Sequence, residues 1–402
     1  MGRIIIITGK GGVGKTSLAA AHAMKSAREG KRTLLASADM AHNIGDIFGM
    51  RVGNRPVQLL PDLDGLELDP DQLLEEEFPD VARAFVRMLA GESAAGPVPD
   101  GQLLLPGLEN LFSLLKLAML HESGEYDRII VDCAPTGETL SLLKLPELLA
   151  WYMEKFFPVG KTMVRLLSPV SRLRYHVSLP DRKAMNELEA LHLRLLALQE
   201  LLKDDRICSV RLVCTPERMV VEETKRSYMY LSLFRYNVDG VFINRVLPEV
   251  PDNAFLTGWR DIQKRYLDEL HSVFAALPIL QLPWYPREVR GQAAIGRICD
   301  EILTDPELFS LRPREENEVY VPIEGGYQLV LRIPGAEGEA VKTGCHALDL
   351  DISVGNYLRR IPLPNVLRGI QPAETSVRDG ILRVSFLTGS GREERKEGGE
   401  GQ

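Results

Sequence analysis

The hydrophobic pattern near the start of the chain predicts a strand, a helix and a second strand. Ile4 to Thr8 is an apolar, β-branched run typical of a strand buried on both faces. An Ala-rich helical pattern begins at about Thr16, and Gly30 follows it in the position that commonly ends a helix. Thr33 to Ala38 is the second predicted strand. These elements predict a βαβ unit with a glycine-rich turn after its first strand.

Strand patterns and helix patterns continue to alternate as far as residue 303. The predicted strands are Arg128 to Asp132, Val210 to Thr215, Val241 to Asn244 and Ile279 to Leu282. The predicted helices are Glu217 to Leu233, Gly258 to Ala275 and Arg287 to Leu303. This alternation predicts an α/β fold in which helices cover both faces of a doubly wound, mostly parallel sheet.

Two segments interrupt the alternation, at about residues 62–125 and 147–205, and are predicted to be mainly helical insertions. The second contains a dense apolar run, Trp151 to Val170, followed by an amphipathic helix from Asp181 to Leu202. Large apolar side chains this closely spaced belong either to a packed core or to an exposed binding surface. The pattern alone leaves both readings open.

The pattern changes after Leu311. Residues 312–318 are charged and contain proline, as linkers commonly do. Beyond them lie short strand patterns separated by Gly and Pro: Tyr327 to Ile333, Leu348 to Ile352, Asn356 to Leu363 and Ile381 to Leu387. We therefore expect an α/β domain over residues 1–311, an all-β sandwich over 318–388 and a disordered tail over 389–402.

Composition limits the function classes. The chain has 402 residues, of which 45% are hydrophobic and 26% charged, as in ordinary globular proteins. A net charge of -8 argues against binding nucleic acid through bulk charge. The five cysteines form no CxxC pair, which favours a reducing compartment, and no signal-peptide pattern is present at the start. We therefore expect a cytoplasmic protein.

The strongest motif is Gly9 to Thr16, GKGGVGKT, which matches G-x-x-x-x-G-K-[ST] between a predicted strand and a predicted helix. Its glycines allow backbone N–H groups to turn toward phosphates, Lys15 would reach the β- and γ-phosphates, and Thr16 would bind Mg²⁺. The predicted ATP-binding residues of this loop are Gly11, Gly12, Val13, Gly14, Lys15, Thr16 and Ser17. The alternative is a glycine-rich turn that carries a lysine by chance.

Three carboxylates follow predicted strands, where open α/β sheets bind ligands. Asp39 could orient or deprotonate a water molecule, and Asp46 could position Mg²⁺ through water. An Asp at a strand end is also a common helix cap. Asp132 ends another strand and suits a water-mediated contact to Mg²⁺, while the following Pro-Thr-Gly turn could sense the γ-phosphate.

Taken together, these segments resemble the ArsA-type ATPases, the family of arsenite-pump and tail-anchored-protein-targeting ATPases. Residues 39–49, DMAHNIGDIFG, are similar to that family's D-P-A-H-N-L-S-D-x-F-G, and residues 132–140, DCAPTGETL, to its D-x-A-P-T-G-x-T-L. The resemblance implies a P-loop NTPase sheet over about residues 1–310 with ATP and Mg²⁺ as cofactors. It implies that Asp39 is the catalytic carboxylate and that Lys10 reaches the phosphates of a partner subunit. The implied switch residues are His42, Asn43, Asp46, Pro135, Thr136 and Gly137.

The resemblance extends to three later segments. It implies that Glu217 contacts nucleotide, that Asn244 reads adenine, and that Pro286 belongs to a base-enclosing loop continued by residues 287–291. Since the phosphate loop occurs once in this chain, the resemblance implies a homodimer.

The departures from the family pattern are informative. Met40 replaces a proline in the first switch, which changes the stiffness of that loop. Asn253 and Leu256 stand where the targeting factors carry a zinc-binding CxxC pair, so we expect no zinc site. The cysteines do not match those with which the arsenite ATPases bind As(III).

The C-terminal region resembles the α-crystallin domain of small heat-shock proteins. The segments that carry this resemblance are Leu331 to Gly335, Ile361 to Pro364 and Asp379 to Leu382. A generic β-sandwich is the alternative. Fusion of the two regions points to a bacterial or plastid branch of the targeting ATPases. This resemblance implies a protein of the cytoplasm, or of the plastid stroma, that meets membranes only indirectly.

These features favour a homodimeric ATPase whose closing and opening drives the binding or targeting of hydrophobic membrane-protein clients, with Trp151 to Val170 as a client surface. One alternative is a subunit that energises arsenite or metalloid efflux, which the cysteine pattern disfavours. Another is a partitioning-type ATPase, which the acidic balance and the β-sandwich disfavour.

Overall fold

The computed structural model describes residues 2–39, 44–76, 108–134, 136–137, 139–140, 143, 182–249, 254–312, 318–336, 340–346, 348–355 and 357–388. The chain forms two compact units, one of residues 1–213 and 285–310 and the other of residues 214–284 and 311–402. Several residues singled out in the sequence lie outside the described residues: Met40, His42, Asn43, Pro135, Asn253, the run from Trp151 to Val170 and the tail over 389–402.

A twisted sheet forms the core of the first unit. Its strands are β1 (Arg3–Gly9), β2 (Thr33–Ser37), β3 (Val57–Leu60), β4 (Leu63–Glu67), β5 (Arg128–Asp132) and β6 (Cys208–Cys214), in the order β3-β4-β2-β5-β1-β6. All neighbouring pairs are parallel except β3 and β4, which are antiparallel. The described helices of this unit are α1 (Lys15–Arg28), α2 (Ile44–Phe48), α3 (Pro70–Glu76), α4 (Leu108–Glu122), α5 (Arg182–Lys203) and α8 (Gln292–Glu301).

The central strand β1 shows why the sequence pattern predicts this sheet well. Ile4 to Ile7 are at most 1% exposed, as expected for a strand covered on both faces. Helix α1 ends as its sequence suggests, because Gly30 adopts φ +72°, a conformation that favours glycine. The predicted α/β class is confirmed.

The local structure differs from the sequence expectation in two places. Leu63–Glu67, within the segment predicted to be mainly helical, is strand β4, because parallel pairing with β2 overrides the weak strand propensity of Asp64 and Gly65. The helix predicted from Arg287 begins only at Gln292. Its preceding residue, Gly291, has φ +81°, and residues 287–291 form a loop.

The second unit combines α/β elements with an antiparallel sandwich. Its first elements are α6 (Arg218–Leu233), β7 (Val238–Val246), α7 (Ala254–Val273) and β8 (Ile279–Pro283), and β7 pairs with β8 in parallel. One sandwich sheet has the order β14-β15-β10-β9, and the other β11-β12-β13. The strands are β9 (Glu318–Ile323), β10 (Gly326–Arg332), β11 (Val341–His346), β12 (Asp349–Val354), β13 (Tyr357–Pro362), β14 (Glu374–Arg378) and β15 (Ile381–Leu387).

The predicted all-β region is confirmed, and its core explains which strands the sequence reveals. Leu329, Leu331, Ile352 and Val384 alternate inward and are fully buried. The strands that the pattern misses, β9, β11 and β14, all lie at sheet edges. Their residues are half-buried or exposed, so the alternation that marks a strand is weak there.

A close contact joins two of the motifs noted in this region. Asp379 and Gly380 form a two-residue hairpin turn with φ +53° and +67°, the values of a type I′ turn. The amide of Ile333 donates a 2.7 Å hydrogen bond to the carbonyl oxygen of Gly380. A Cβ placed on Gly380 would lie 3.1 Å from the Cα of Pro334, so the turn leaves almost no room for a side chain.

Among the described residues, no helix is both long enough and apolar enough to cross a membrane.

Because Gly380 has a positive φ and little room for a Cβ, replacing it should destabilise the sandwich through two effects. Gly380→Ala places a Cβ in a left-handed residue, at about 1–2 kcal/mol, and also presses it against Pro334. Gly369→Ala is the matched control, because Gly369 has φ +78° and a Cβ added there would meet no atom within 4 Å. Urea unfolding of the full chain should show a larger loss for Gly380→Ala. Equal losses would mean that the contact with Pro334 relaxes without energetic consequence.

Candidate nucleotide site

The loop between β1 and α1 has the backbone of a phosphate-binding loop. Gly12 and Gly14 adopt φ +78° and +99°, which glycine accepts without strain. A Cβ on Gly9 would lie 2.1 Å from the carbonyl oxygen of Val213 on β6, so only glycine fits where the strand enters the loop. The N-terminus of α1 begins directly behind the loop, and its positive potential favours a bound anion.

Lys15 turns back over this loop. Lys15 is only 7% exposed, and its Nζ lies 3.5 Å from the carbonyl oxygen of Lys10. An ammonium held in this way, inside the curve of the loop, is placed to meet the phosphates of a nucleotide.

A cavity of about 550 Å³ opens in front of the loop, a volume within the range that holds small ligands. Asp39 and Asp46, from different elements, both line it. Its remaining lining residues are Gly11, Gly12, Gly14, Lys15, Thr16, Ser17, Ile47, Glu288, Val289 and Arg290. The structure thus brings together the predicted phosphate loop, Asp39 and Asp46 in one place. Ile47 was missed by sequence reasoning, although its position beside Asp46 was a usable signal.

Asp132 ends β5 as a fully buried carboxylate beneath this cavity. Neither of its oxygens has a hydrogen-bond partner of normal geometry among the described residues. The net effect of its surroundings raises the pKa of Asp132 to about 7: burial is the main cause, the Thr16 hydroxyl and the Lys15 ammonium lower the pKa, and the nearby Asp39 raises it. An orphaned carboxylate next to the Thr16 hydroxyl suits a hydrated divalent cation, so these two residues fit the predicted Mg²⁺ site.

The turn after β5 is held against the phosphate-loop strand. The Thr8 hydroxyl donates to Thr139 Oγ1 at 3.1 Å, and the Thr139 hydroxyl donates to the carbonyl oxygen of Ala134 at 2.7 Å. Of the predicted switch residues in this turn, Thr136 is buried and Gly137 is exposed. This arrangement ties the turn that follows Asp132 to the strand that leads into the phosphate loop.

The later predicted nucleotide residues are divided between the two units. Glu217 is the N-cap residue of α6 and accepts a 3.1 Å hydrogen bond from the Thr215 hydroxyl. Asn244 lies near the end of β7, where its side-chain oxygen accepts from the Arg245 amide at 2.8 Å. Both belong to the second unit, whereas Pro286 is exposed in the first, before the loop residues 288–290. Their nucleotide roles stay predictions.

Possible metal ligands do not cluster in the described part of the chain. Among the residues that the structure describes, no group of three or more His, Cys, Asp or Glu side chains is arranged to hold a metal ion. Four cysteines are buried, and Cys345 is partly buried in the sandwich.

The sequence models of two families match the chain. The family described as anion-transporting ATPase matches residues 2–304, and an HSP20-like domain found in ArsA matches residues 324–386. The resemblances noted for the two regions are thereby confirmed.

Full-length relatives agree with these matches. A protein of Prosthecochloris vibrioformis, provisionally named an arsenical pump-driving ATPase, is 33% identical over 387 residues, which cover 96% of each chain. One of Aquifex aeolicus, provisionally named arsenical pump-driving ATPase 1, is 31% identical over 94% of this chain and 99% of its own. ATPase GET3 of Podospora anserina is 29% identical over 76% of this chain and 91% of its own.

The buried carboxylate predicts a pH-dependent stability in the absence of nucleotide. The pKa of Asp132 is higher in the folded chain than in the unfolded chain. Its contribution to stability is therefore complete below about pH 4 and is lost as pH rises through 7, by about 4 kcal/mol at most. The Asn side chain of Asp132→Asn does not titrate. The free energy of unfolding of this variant should therefore rise relative to that of the unmodified chain as pH increases from about 4 to 7.

Urea unfolding at a series of pH values measures this gain. Asp300→Asn, the same change at an exposed carboxylate that pairs with Arg28, is the control for the substitution itself. A constant difference between Asp132→Asn and the unmodified chain from pH 4 to 8 would contradict the raised pKa.

Proposed function

The chain belongs to the anion-transporting ATPase family, whose members hydrolyse ATP, and we propose that it is a magnesium-dependent homodimer that uses ATP to bind or target hydrophobic protein clients. The observation that carries the hydrolytic part is the cavity that Lys15, Thr16, Asp39 and Asp46 line together. Buried Asp132 lies close enough to Thr16 and Lys15 for both to influence its pKa.

Each residue of this cavity has a role in phosphoryl transfer. Lys15 and the loop backbone would bind and orient the phosphate chain, so that the γ-phosphoryl group faces Asp39. Asp39 would accept a hydrogen bond from the attacking water and orient it, or take its proton. Thr16 directly, and Asp132 through water, would hold Mg²⁺, which supplies charge neutralisation at the phosphate oxygens. By the resemblance, Glu217 would contact the nucleotide, Asn244 would read adenine and Pro286 would belong to the loop that encloses the base.

Lys10 supports the homodimer in this proposal. Transition-state charge in phosphoryl transfer is commonly neutralised by a cation supplied from a second subunit. The chain carries one phosphate loop, so a second copy would supply the opposing Lys10. Closure of the two copies around ATP would then depend on nucleotide, because only the closed state satisfies both sites.

The helical insertions support a hydrophobic client. Met119 on α4 and Leu193 on α5 are 46% and 61% exposed, and these helices flank in sequence the apolar run from Trp151 to Val170. Exposed methionine and leucine side chains suit apolar helices of varied sequence, because they adapt to different partners. We propose that the clients are hydrophobic transmembrane segments, that no nucleic acid is bound, and that the protein acts in the cytoplasm or plastid stroma.

Metalloid efflux is the second candidate, favoured by the provisional names of two relatives. The thiols of this chain oppose it. Cys133, Cys208, Cys214 and Cys299 are buried, and burial holds the pKa of Cys133, Cys214 and Cys299 well above the usual range. Arsenite capture requires several accessible thiolates in one place.

Asp39→Asn tests the hydrolytic assignment. The amide keeps the shape of the side chain but cannot take a proton, so kcat should fall at least 100-fold while the Kd for ATP changes less than threefold. Phosphate release and equilibrium binding of a fluorescent ATP analogue measure the two quantities. Lys15→Ala is the control and should lose binding itself. An unchanged kcat in Asp39→Asn would remove Asp39 from the reaction.

The same variant serves as a trap for clients. Tagged Asp39→Asn, purified from its host with ATP and Mg²⁺, should retain proteins that carry hydrophobic helices, because the closed state persists without hydrolysis. Lys15→Ala should retain few of them, as judged by mass spectrometry. If a confirmed closed dimer enriches no such proteins, and arsenite stimulates ATP hydrolysis several-fold, metalloid efflux replaces client targeting.

A further inference from the structure

Two neighbouring strands end side by side at the edge of the sheet that carries the candidate site. Ser37 is the last residue of β2 and Glu67 the last of β4, and the two are register partners in the parallel pair. The amide of Leu68 donates to the carbonyl oxygen of Ser37 at 3.0 Å, which fixes the ends of the two strands against each other. Both side chains therefore project from a rigid edge.

Each of these side chains binds backbone that leads to the cavity. The amide of Asp39 donates to Ser37 Oγ at 3.2 Å. The amide of Gly45 donates to Glu67 Oε1 at 2.9 Å. Asp39 and Asp46, both cavity residues, are thus each held at or next to a backbone amide fixed by the β2–β4 edge.

Helix α2 depends on its neighbours for its orientation. It contains only five residues, too few to be stable alone. A second hydrogen bond ties it to the loop before α8, since the Gly291 amide donates to the carbonyl oxygen of Ile47 at 3.1 Å. Gly45 itself sits tightly, because an added Cβ would lie 2.7 Å from the carbonyl oxygen of Met50. Glu67 is only 7% exposed, and its carboxylate connects the first turn of α2 to the end of β4.

We propose that Glu67 is a positioning residue for ATP hydrolysis, a role that rests on the proposed function. Glu67 is not among the residues that line the cavity. It acts by accepting the hydrogen bond of the Gly45 amide, which fixes the first turn of α2 and places Asp46 and Ile47 at the phosphate end of the site. A misplacement of about 1 Å in such a group is enough to slow a reaction by about 100-fold.

The position of the acceptor and the negative charge can be separated by two mild substitutions. Glu67→Gln keeps an acceptor oxygen in place and removes the charge; Glu67→Asp keeps the charge and withdraws the acceptor by one methylene. Glu67→Gln should retain at least half of kcat. Glu67→Asp should lower kcat at least 10-fold, with KM for ATP changed less than threefold, because phosphate binding by Lys15 is untouched.

Hydrogen exchange provides a readout independent of turnover. Peptides that contain residue 45 should exchange faster in Glu67→Asp than in Glu67→Gln and the unmodified chain. Leu59→Ala is the control for general destabilisation. Leu59 is buried against Gly65 on the same hairpin, so this variant should lower the melting temperature and leave kcat unchanged.

Three results would overturn the proposal. Equal losses of kcat in Glu67→Gln and Glu67→Asp would show that turnover does not depend selectively on the position of the acceptor oxygen. Normal kcat in Glu67→Asp would remove Glu67 from the reaction while leaving the proposed function intact. Absence of Asp39-dependent hydrolysis in the unmodified chain would overturn the proposed function and this role together.

Discussion

Parallel pairing of the strands in the first unit is the constraint on which the candidate site depends. Parallel strands place their carboxyl ends at one edge, and the register here aligns Glu67 with Ser37, Ser37 with Asp132, and Asp132 with Ile7. The register of the strands therefore brings residues that are far apart in sequence together, and their positions do not depend on the conformation of a loop. The loops add only what the edge lacks: the glycine-rich turn after β1 and the short helix α2.

The same edge of the sheet also buries charged side chains, which is energetically unfavourable. Asp132 is buried without a hydrogen-bond partner of normal geometry among the described residues, and Lys15 is nearly buried as well. A buried carboxylate of this kind is unfavourable unless a cation or a proton compensates it. The fold thus buries a carboxylate at the place where a nucleotide-bound cation would neutralise its charge. Binding of that cation and stability of the sheet are linked through the same side chain.

The sequence predicts those parts of the molecule whose local chemistry and tertiary environment agree. The buried strand β1, the phosphate loop and the stop of α1 at Gly30 follow from β-branched residues, glycine spacing and a left-handed C′ position. Strand β4 could not be predicted, because its pairing with β2 outweighs the polar character of Asp64 and Gly65. Glu67 was missed for a related reason: its role depends on Gly45, which is 22 positions away along the chain and meets it only through the register of two strands.

What the hydrolysis drives depends on a different part of the molecule. The chain is similar over most of its length to relatives named as an arsenical pump-driving ATPase and as GET3, so membership of the family does not distinguish a metalloid from a protein client. The distinguishing chemistry must come from groups that touch the cargo. Four of the five thiols are buried, and burial raises the pKa of Cys133, Cys214 and Cys299. Met119 on α4 and Leu193 on α5 are exposed apolar side chains. Since soft metal ligands must be accessible as thiolates and apolar cargo requires exposed apolar surface, the distribution of side chains favours the protein client.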